Sequence, residues 1–182
     1  MESLTNLTCD TIGQWFLKTK KLVSLSEQQL VDCDHHCVTF ENQQSCDDGC
    51  NGGLMWSAYQ YIIQVGGITS EDSYPYYAES YKCTVKPSSF VAKISNWTML
   101  PTNETEIAAF LAANGPVAVA MNADFLQNYN SGIADPAYCD PTNLDHGVLI
   151  VGYGVETFWF GQPEAYWRVK NSWGYDWGGW FL

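Results

Sequence analysis

The chain has 182 residues, of which 46% are hydrophobic and 15% aromatic, and its formal net charge is −12 at pH 7. This composition supplies enough apolar side chains for one compact domain, or for two small lobes that share an interface. The acidic balance argues against nucleic acid and anionic membrane surfaces as partners, because both attract clustered lysine and arginine. No apolar run reaches the length of a membrane-spanning helix, so the sequence does not predict a membrane protein.

Helical patterns dominate the first half of the chain. The segment 13–21 is typical of the end of a helix, and a second helix is predicted to start where Ser24 or Ser26 begins a capping box. The spacing of apolar residues predicts a third helix over 55–65, ended by Gly66 and Gly67.

Strand patterns dominate the second half. One more helix is predicted over 105–114, ended by Gly115 and Pro116. After it, apolar or alternating runs predict strands over 116–121, 147–153 and 166–169. The order predicts an α+β fold as a single domain, mainly helical over 1–100 and mainly β over 101–182.

The seven cysteines and three Asn-x-Thr sequons favour an oxidising compartment on the secretory route. The sequons begin at Asn6, Asn96 and Asn103. The first residues nevertheless lack the basic and apolar regions of a signal peptide, so we expect the sequence to begin inside a longer protein. The acidity suits an acidic lumen, although a merely soluble surface would also explain it.

Four cysteines cluster in the spacing C-x3-C-x8-C-x3-C, with His35 and His36 between the first two. Cys33, Cys37, Cys46 and Cys50 could form disulfides or hold zinc, because thiolates and imidazoles at short spacing are zinc ligands. We favour disulfides, since the segment is acidic and lacks the C-x2-C pairs of zinc knuckles. A zinc-binding module over Cys33–Cys50 is the alternative.

Three motifs carry a family resemblance: Gly-Cys-Asn-Gly-Gly at 49–53, Asp-His-Gly before an apolar run at 145–147, and Lys-Asn-Ser-Trp-Gly at 170–174. Together they resemble the papain family of cysteine peptidases, whose lysosomal or vacuolar members are cathepsin-like. The resemblance covers roughly 13–177, and residues 1–12 do not match it. It implies a two-lobe fold with a helical left lobe, an antiparallel β-barrel-like right lobe and a cleft between them, truncated here at both ends.

The resemblance also implies how the cysteines pair. It joins Cys33 to Cys83 and Cys37 to Cys46. The family partners of the remaining cysteines are not found in the chain, so three cysteines are expected to stay outside disulfides: Cys9, Cys50 and Cys139.

His146 and Asn171 match the catalytic base and its orienting amide. A cysteine attacks a peptide carbonyl well only as a thiolate, which an adjacent imidazole generates and a side-chain amide helps to orient. Trp173 is expected to shield the His–Asn hydrogen bond from water. Ordinary core packing would also explain a lone histidine or tryptophan, but the flanking motifs favour the catalytic interpretation.

Other matched positions are expected to bind substrate. Gly52 and Gly53 offer bare backbone with which an extended peptide can pair, although a plain turn would also explain them. Trp177 matches the leaving-group side of the cleft. The remaining expected substrate-binding residues, mostly walls of an apolar pocket, are Leu54, Met55, Ala120, Asp145 and Gly147.

The nucleophile is missing from its expected place. Counting back from Gly13 places it at position 2, which is Glu2. Cys9 lies seven residues further on, about 10 Å along a helix, and the neighbouring Asp10 would disfavour its thiolate.

We therefore expect a fragment of a papain-like cysteine endopeptidase that lacks its nucleophile and is inactive. The alternative is a pseudopeptidase that binds peptides or inhibitors. The resemblance implies peptide or protein substrates and cystatin-like inhibitors, a monomer, no cofactor or metal, and a lysosomal, vacuolar or secreted location.

Overall fold

The computed structural model describes residues 2–40, 43–157, 161–174 and 176–178, with the side chains of 2–7, 40 and 43 left aside. The chain forms two compact units, Met1–Met99 and Leu100–Leu182. Within the described residues, no helix combines the length and apolar character needed to cross a membrane.

Three helices build the first unit: α1 (Glu2–Thr19), α2 (Glu27–Cys33) and α3 (Met55–Val65). The predicted bounds of α3 are confirmed, and Gly66 ends it with a φ of 91° in the left-handed conformation. Helix α1 ends two residues before the predicted Lys21. The cause is Lys20, whose φ of 60° lies outside the helical region.

The core of the first unit forms where α2 and α3 face each other and the adjoining strands. Its fully buried side chains include Leu30 of α2 and Ile62 of α3, and Trp15 of α1 packs against this cluster. Of the two predicted capping serines, Ser26 caps α2: its Oγ accepts a hydrogen bond from the Gln29 N–H at 3.0 Å. The buried position of Ser26 decides the choice, because Ser24 is exposed.

Two short antiparallel strand pairs complete the first unit, and neither was predicted. Strands β1 (Cys37–Phe40) and β2 (Gln43–Cys46) pair so that Cys37 lies opposite Cys46. Strand β3 (Ile68–Thr69) pairs with β4 (Phe90–Ala92). These strands are too short, and in β1–β2 too polar, to show an alternating pattern.

The second unit packs α4 (Glu104–Asn114) with a three-stranded antiparallel sheet. Asn103 caps α4 by accepting hydrogen bonds from the N–H groups of Thr105 and Glu106. The sheet order is β5-β6-β7, comprising Val117–Met121, His146–Glu156 and Glu164–Lys170. All three predicted strands are present, and β6 and β7 are longer than predicted.

Residues 148–150 of β6 are buried in this unit, together with Leu111 of α4 and Leu126. Because β6 and β7 are antiparallel, the start of β6 and the end of β7 meet at the same edge of the sheet. His146 is the first residue of β6, and Asn171 directly follows β7. The fold therefore brings these two side chains to one place.

Candidate active site

His146 and Asn171 are joined by a hydrogen bond in the second unit. The Nε2 atom of His146 lies 2.8 Å from Oδ1 of Asn171, and the histidine is only 5% exposed. The same Oδ1 accepts the backbone N–H of Ser172 at 2.8 Å, which holds the amide in position. A fixed acceptor is thus aimed at one nitrogen of a buried imidazole.

This contact determines which tautomer the neutral ring adopts. A side-chain amide oxygen can only accept a hydrogen bond, so Nε2 carries the proton and donates it. The neutral ring then keeps its lone pair on Nδ1, which becomes the basic atom. His146 is therefore oriented to take a proton at Nδ1 while Asn171 supports the resulting imidazolium at Nε2.

A row of aromatic rings adjoins this pair. The ring centroid of Trp173 lies 5.1 Å from that of His146, with an angle of 33° between the planes. Trp177 packs edge-on against Trp173 at 4.9 Å, and Tyr129 packs against Trp177 at 5.5 Å. Such contacts remove water from one side of the imidazole and lower the local dielectric constant.

Two short segments fix the backbone on either side of His146. Met121 of β5 pairs with His146, and its carbonyl accepts the N–H of Asp145 at 3.2 Å. The carboxylate of Asp145 in turn accepts the N–H of Ala123 at 2.8 Å. Asn122 donates to the carbonyl of Asn143 at 3.0 Å, a second tie between the same segments.

Ala120 and Gly147 are direct partners across β5 and β6, one residue from the Met121–His146 pair. Ala120 is exposed and Gly147 is buried. The predicted site residues of the second unit thus lie together at one sheet edge. They are Ala120, Asp145, His146, Gly147, Asn171 and Trp173, and Trp177 packs against Trp173.

The other predicted substrate-binding residues lie in the first unit, in a loop that leads into α3. Gly52 has a φ of 105°, a conformation that side-chain-bearing residues rarely adopt. Gly53 is constrained differently: a Cβ there would overlap the carboxylate of Asp47. Leu54 precedes α3, and Met55, its first residue, packs against the core.

Asp47 holds this loop and was not recognised from the sequence. It is 3% exposed, and its Oδ1 accepts the N–H of Leu54 at 2.8 Å. Tyr129, which supports Trp177, was also missed. Both act through contacts between residues distant in sequence, and neither stands in a pattern that would have singled it out.

The cysteines adopt the two pairings that the resemblance implied. Disulfides join Cys33 to Cys83 and Cys37 to Cys46. Three of the four sulfurs in the clustered segment are therefore not thiolates and cannot act as zinc ligands. In the described residues, three further cysteines form no disulfide: Cys9, Cys50 and Cys139.

Three carboxyl groups of the first unit have raised pKa values. Burial raises the pKa of Asp10 to about 6, although a hydrogen bond from Tyr59 opposes the shift. Burial and the charge of Glu71 raise the pKa of Glu27 to about 7. Burial and the charge of Asp47 raise the pKa of Asp34 to about 8. All three therefore hold protons more tightly than exposed carboxyl groups do.

Comparisons with known proteins give the family. Residues 8–181 match the model of the papain family of cysteine proteases, a wider range than the 13–177 inferred from the motifs. Cysteine proteinase 1 of Dictyostelium discoideum is 53% identical over 167 residues, which are 91% of this chain and 48% of that protein. Procathepsin L of Mus musculus is 47% identical over 168 residues, with the same coverage.

A solved structure shows the same fold. The digestive procathepsin L 3 of Tenebrio molitor superposes with a TM-score of 0.81 at 38% identity, over 97% of this chain and 55% of that one. The predicted papain-like α+β fold is thereby confirmed. The chain spans about half the length of the curated relatives it matches. From its motifs, its fold and its relatives, the chain belongs to the papain family of cysteine proteases.

Proposed function

We propose that this chain carries the base and the orienting amide of a cysteine endopeptidase. The observation that supports this most directly is the 2.8 Å contact between His146 Nε2 and Asn171 Oδ1 beside the ring of Trp173. In the proposed reaction, His146 takes the proton of a cysteine thiol and the thiolate attacks a peptide carbonyl. The C–N bond then breaks as the imidazolium returns its proton to the departing amine, and water hydrolyses the resulting thioester to release the acid and the thiol.

The proposed substrate is an extended peptide. Gly52 and Gly53 would pair with its backbone, and an apolar side chain would be taken by Leu54, Met55, Ala120 and Gly147. Asp145 is also proposed to bind substrate, and Trp177 would lie on the leaving-group side. Cystatin-like inhibitors would occupy the same residues, and the chain is proposed to act as a monomer without metal or cofactor.

The location is proposed from the same composition. Buried carboxyl groups with raised pKa values suit an acidic compartment, and two disulfides and three sequons suit an oxidising one. We therefore propose a lysosomal, vacuolar or extracellular location. Asn96 and Asn103 are both exposed, as glycosylation requires.

We further propose that this chain by itself does not cleave peptides. Helix α1 runs from Glu2 to Thr19, so Cys9 lies about 10 Å along the helix axis from the expected nucleophile position. Distance is the stronger argument against Cys9. The raised pKa of Asp10 means that this neighbour loses much of its charge at acidic pH, which weakens the argument from repulsion.

The test is to install the thiol at position 2 and ask whether His146 activates it. The unmodified chain should neither hydrolyse a fluorogenic dipeptidyl substrate nor react with a peptidyl epoxide, a thiol-directed probe, at about pH 5. The Glu2→Cys, Cys9→Ser variant should react with the epoxide at position 2. Adding His146→Ala should lower that rate by about a hundredfold or more, the usual contribution of a positioned base.

Either of two results would overturn the proposal. One is labelling of Cys9 with substrate turnover in the unmodified chain. The other is a Glu2→Cys variant that reacts equally fast with and without His146. Sequencing the transcript adds a separate check, because a longer peptidase should show a Gly-Ser-Cys-Trp segment in frame upstream.

A pseudopeptidase is the second candidate, favoured by the glutamate at the expected nucleophile position. It predicts that the unmodified chain binds a non-cleavable extended peptide, and that a stop codon stands directly upstream in the transcript. The zinc-binding module is less supported, because only Cys50 among its four cysteines lies outside a disulfide.

A further inference from the structure

Two carboxyl groups of the first unit, those of Asp34 and Asp47, are buried against each other. Asp34 directly follows α2 and has no exposed surface, and Asp47 is 3% exposed. His36 brings the two together, because its N–H donates to Oδ1 of Asp34 at 2.9 Å and its carbonyl accepts the N–H of Asp47 at 2.9 Å. Two buried carboxyl groups in contact are unusual, because burial and mutual repulsion both oppose ionisation of the pair.

One oxygen of each carboxyl group has a backbone donor. Oδ1 of Asp34 accepts the N–H of His36 at 2.9 Å, and Oδ1 of Asp47 accepts the N–H of Leu54 at 2.8 Å. The Oδ2 atom of each is buried, and no donor in the described part of the chain reaches it. The Oδ2 atoms are therefore the ones left for the contact, which becomes a hydrogen bond only when one of them carries a proton.

Among the residues that the structure describes, none supplies the pair with a compensating positive charge. Besides Asp47, a titratable group that faces Asp34 is Tyr61 of α3, whose own pKa is raised mainly by burial and in smaller part by the charge of Asp34. His36 contributes its backbone N–H, and His35 is exposed. Asp48, next to Asp47, is exposed and adds only negative charge. A shared proton is what remains to stabilise the contact.

The pair connects the end of α2 to the loop that contains Gly52 and Gly53. The carboxylate of Asp47 occupies the space beside Gly53 and holds the N–H of Leu54. The N–H of Asp48 donates to the carbonyl of Gly52 at 2.9 Å. Moving the carboxyl group of Asp47 would therefore release the segment 52–54.

We propose that Asp34 and Asp47 share one proton, and that this pair positions the segment 52–54 for pairing with an extended peptide in acid and releases it as the pH rises above neutrality. Asp34 and Asp47 are positioning residues, since they act on the peptide through the loop. The binding of a peptide to the segment 52–54 rests on the proposed function, whereas the proton-dependent positioning of that segment does not.

The experiment measures amide hydrogen exchange of the native chain across about pH 5 to 9, a range that includes the pKa of about 8 at which Asp34 loses its proton. After correction for the intrinsic exchange rate at each pH, the protection of the Leu54 amide against exchange should be high in acid and should fall towards the upper end of the pH range. The reference is the Thr69 amide, which is buried and bonded to the neutral side chain of Gln29 at 2.8 Å. Global unfolding would affect both amides, whereas release of the loop affects Leu54 alone.

Two substitutions separate a shared proton from simple packing. Asp34→Asn keeps an acceptor for the His36 N–H and supplies an amide N–H in place of the shared proton. Leu54 protection in this variant should therefore stay high throughout the pH range. Asp34→Ala should lower Leu54 protection about tenfold or more even in acid, the effect of losing one buried hydrogen bond.

The matched control is Glu27→Gln, at the other carboxyl pair of this unit. It should leave the pH course of Leu54 protection unchanged. The proposal is overturned if Leu54 protection in the native chain is the same at both ends of the range, or if Asp34→Asn follows the native pH course. The native chain and Asp34→Asn are sufficient for this test, so it does not depend on whether Asp34→Ala folds. Because no peptide is used, a negative result would not bear on the proposed catalysis.

Discussion

At the scale of single residues, the orientation of His146 depends on one amide. Asn171 Oδ1 receives two N–H groups, from the imidazole and from Ser172, and Trp173 covers the ring. The surrounding motifs identified both residues without a structure. Their roles in catalysis stay a prediction, but the tautomer that the contact imposes can be measured directly.

Asn171→Ala should release this constraint on the imidazole. In the native chain, the nitrogen chemical shifts of the neutral His146 ring should show that Nε2 carries the proton and Nδ1 does not. Loss of a hydrogen bond worth about 1 kcal/mol should shift that preference about fivefold towards the other tautomer. Asn114→Ala is the control, because Asn114 lies on α4 and donates to the carbonyl of Phe110. An unchanged nitrogen pattern in Asn171→Ala would contradict the assigned role.

At the scale of elements, sequence patterns placed helices better than strands. Helix α3 has the bounds that its apolar spacing predicted, because the pattern and the terminating Gly66 are both local. The start of α2 was ambiguous between Ser24 and Ser26. Tertiary structure decided it, since Ser26 is buried and also donates from Oγ to the carbonyl of Tyr74 at 2.6 Å.

The two serines give a matched comparison. Ser26→Ala removes both the helix cap and a buried hydrogen bond, so it should lower the free energy of unfolding by about 1–3 kcal/mol. Ser24→Ala, at the exposed alternative, should change it by less than about 0.5 kcal/mol. Urea denaturation monitored by circular dichroism measures both values. Equal effects would show that the cap assignment is wrong.

At the scale of the whole molecule, the buried carboxyl groups relate stability to pH. Asp10, Glu27 and Asp34 have folded-state pKa values of about 6, 7 and 8, raised from ordinary values near 3.8, 4.5 and 3.8. Between each ordinary and raised value the folded state binds more protons than the unfolded state. The free energy of unfolding therefore falls as the pH rises through that window, and is highest below it.

Thermal unfolding should show this dependence. The midpoint should be several degrees higher at about pH 5 than at about pH 8, with most of the loss spread across the three windows. A triple variant, Asp10→Asn, Glu27→Gln and Asp34→Asn, should be less sensitive to pH over the same range. A native midpoint that is constant or rises with pH would contradict the assignment of these groups as protonated.

By itself, the sequence determined the family, the fold class, three of the helices within a few residues and the two disulfide pairs. These depend on contiguous motifs or on local spacing, for example the residues around His146 and Asn171. Tertiary structure alone decided which serine caps α2, the pairing of β1 with β2, and the contacts of Asp47 and Tyr129. Each of these depends on burial and on partners distant in the chain, and such contacts leave no periodic signal in the sequence.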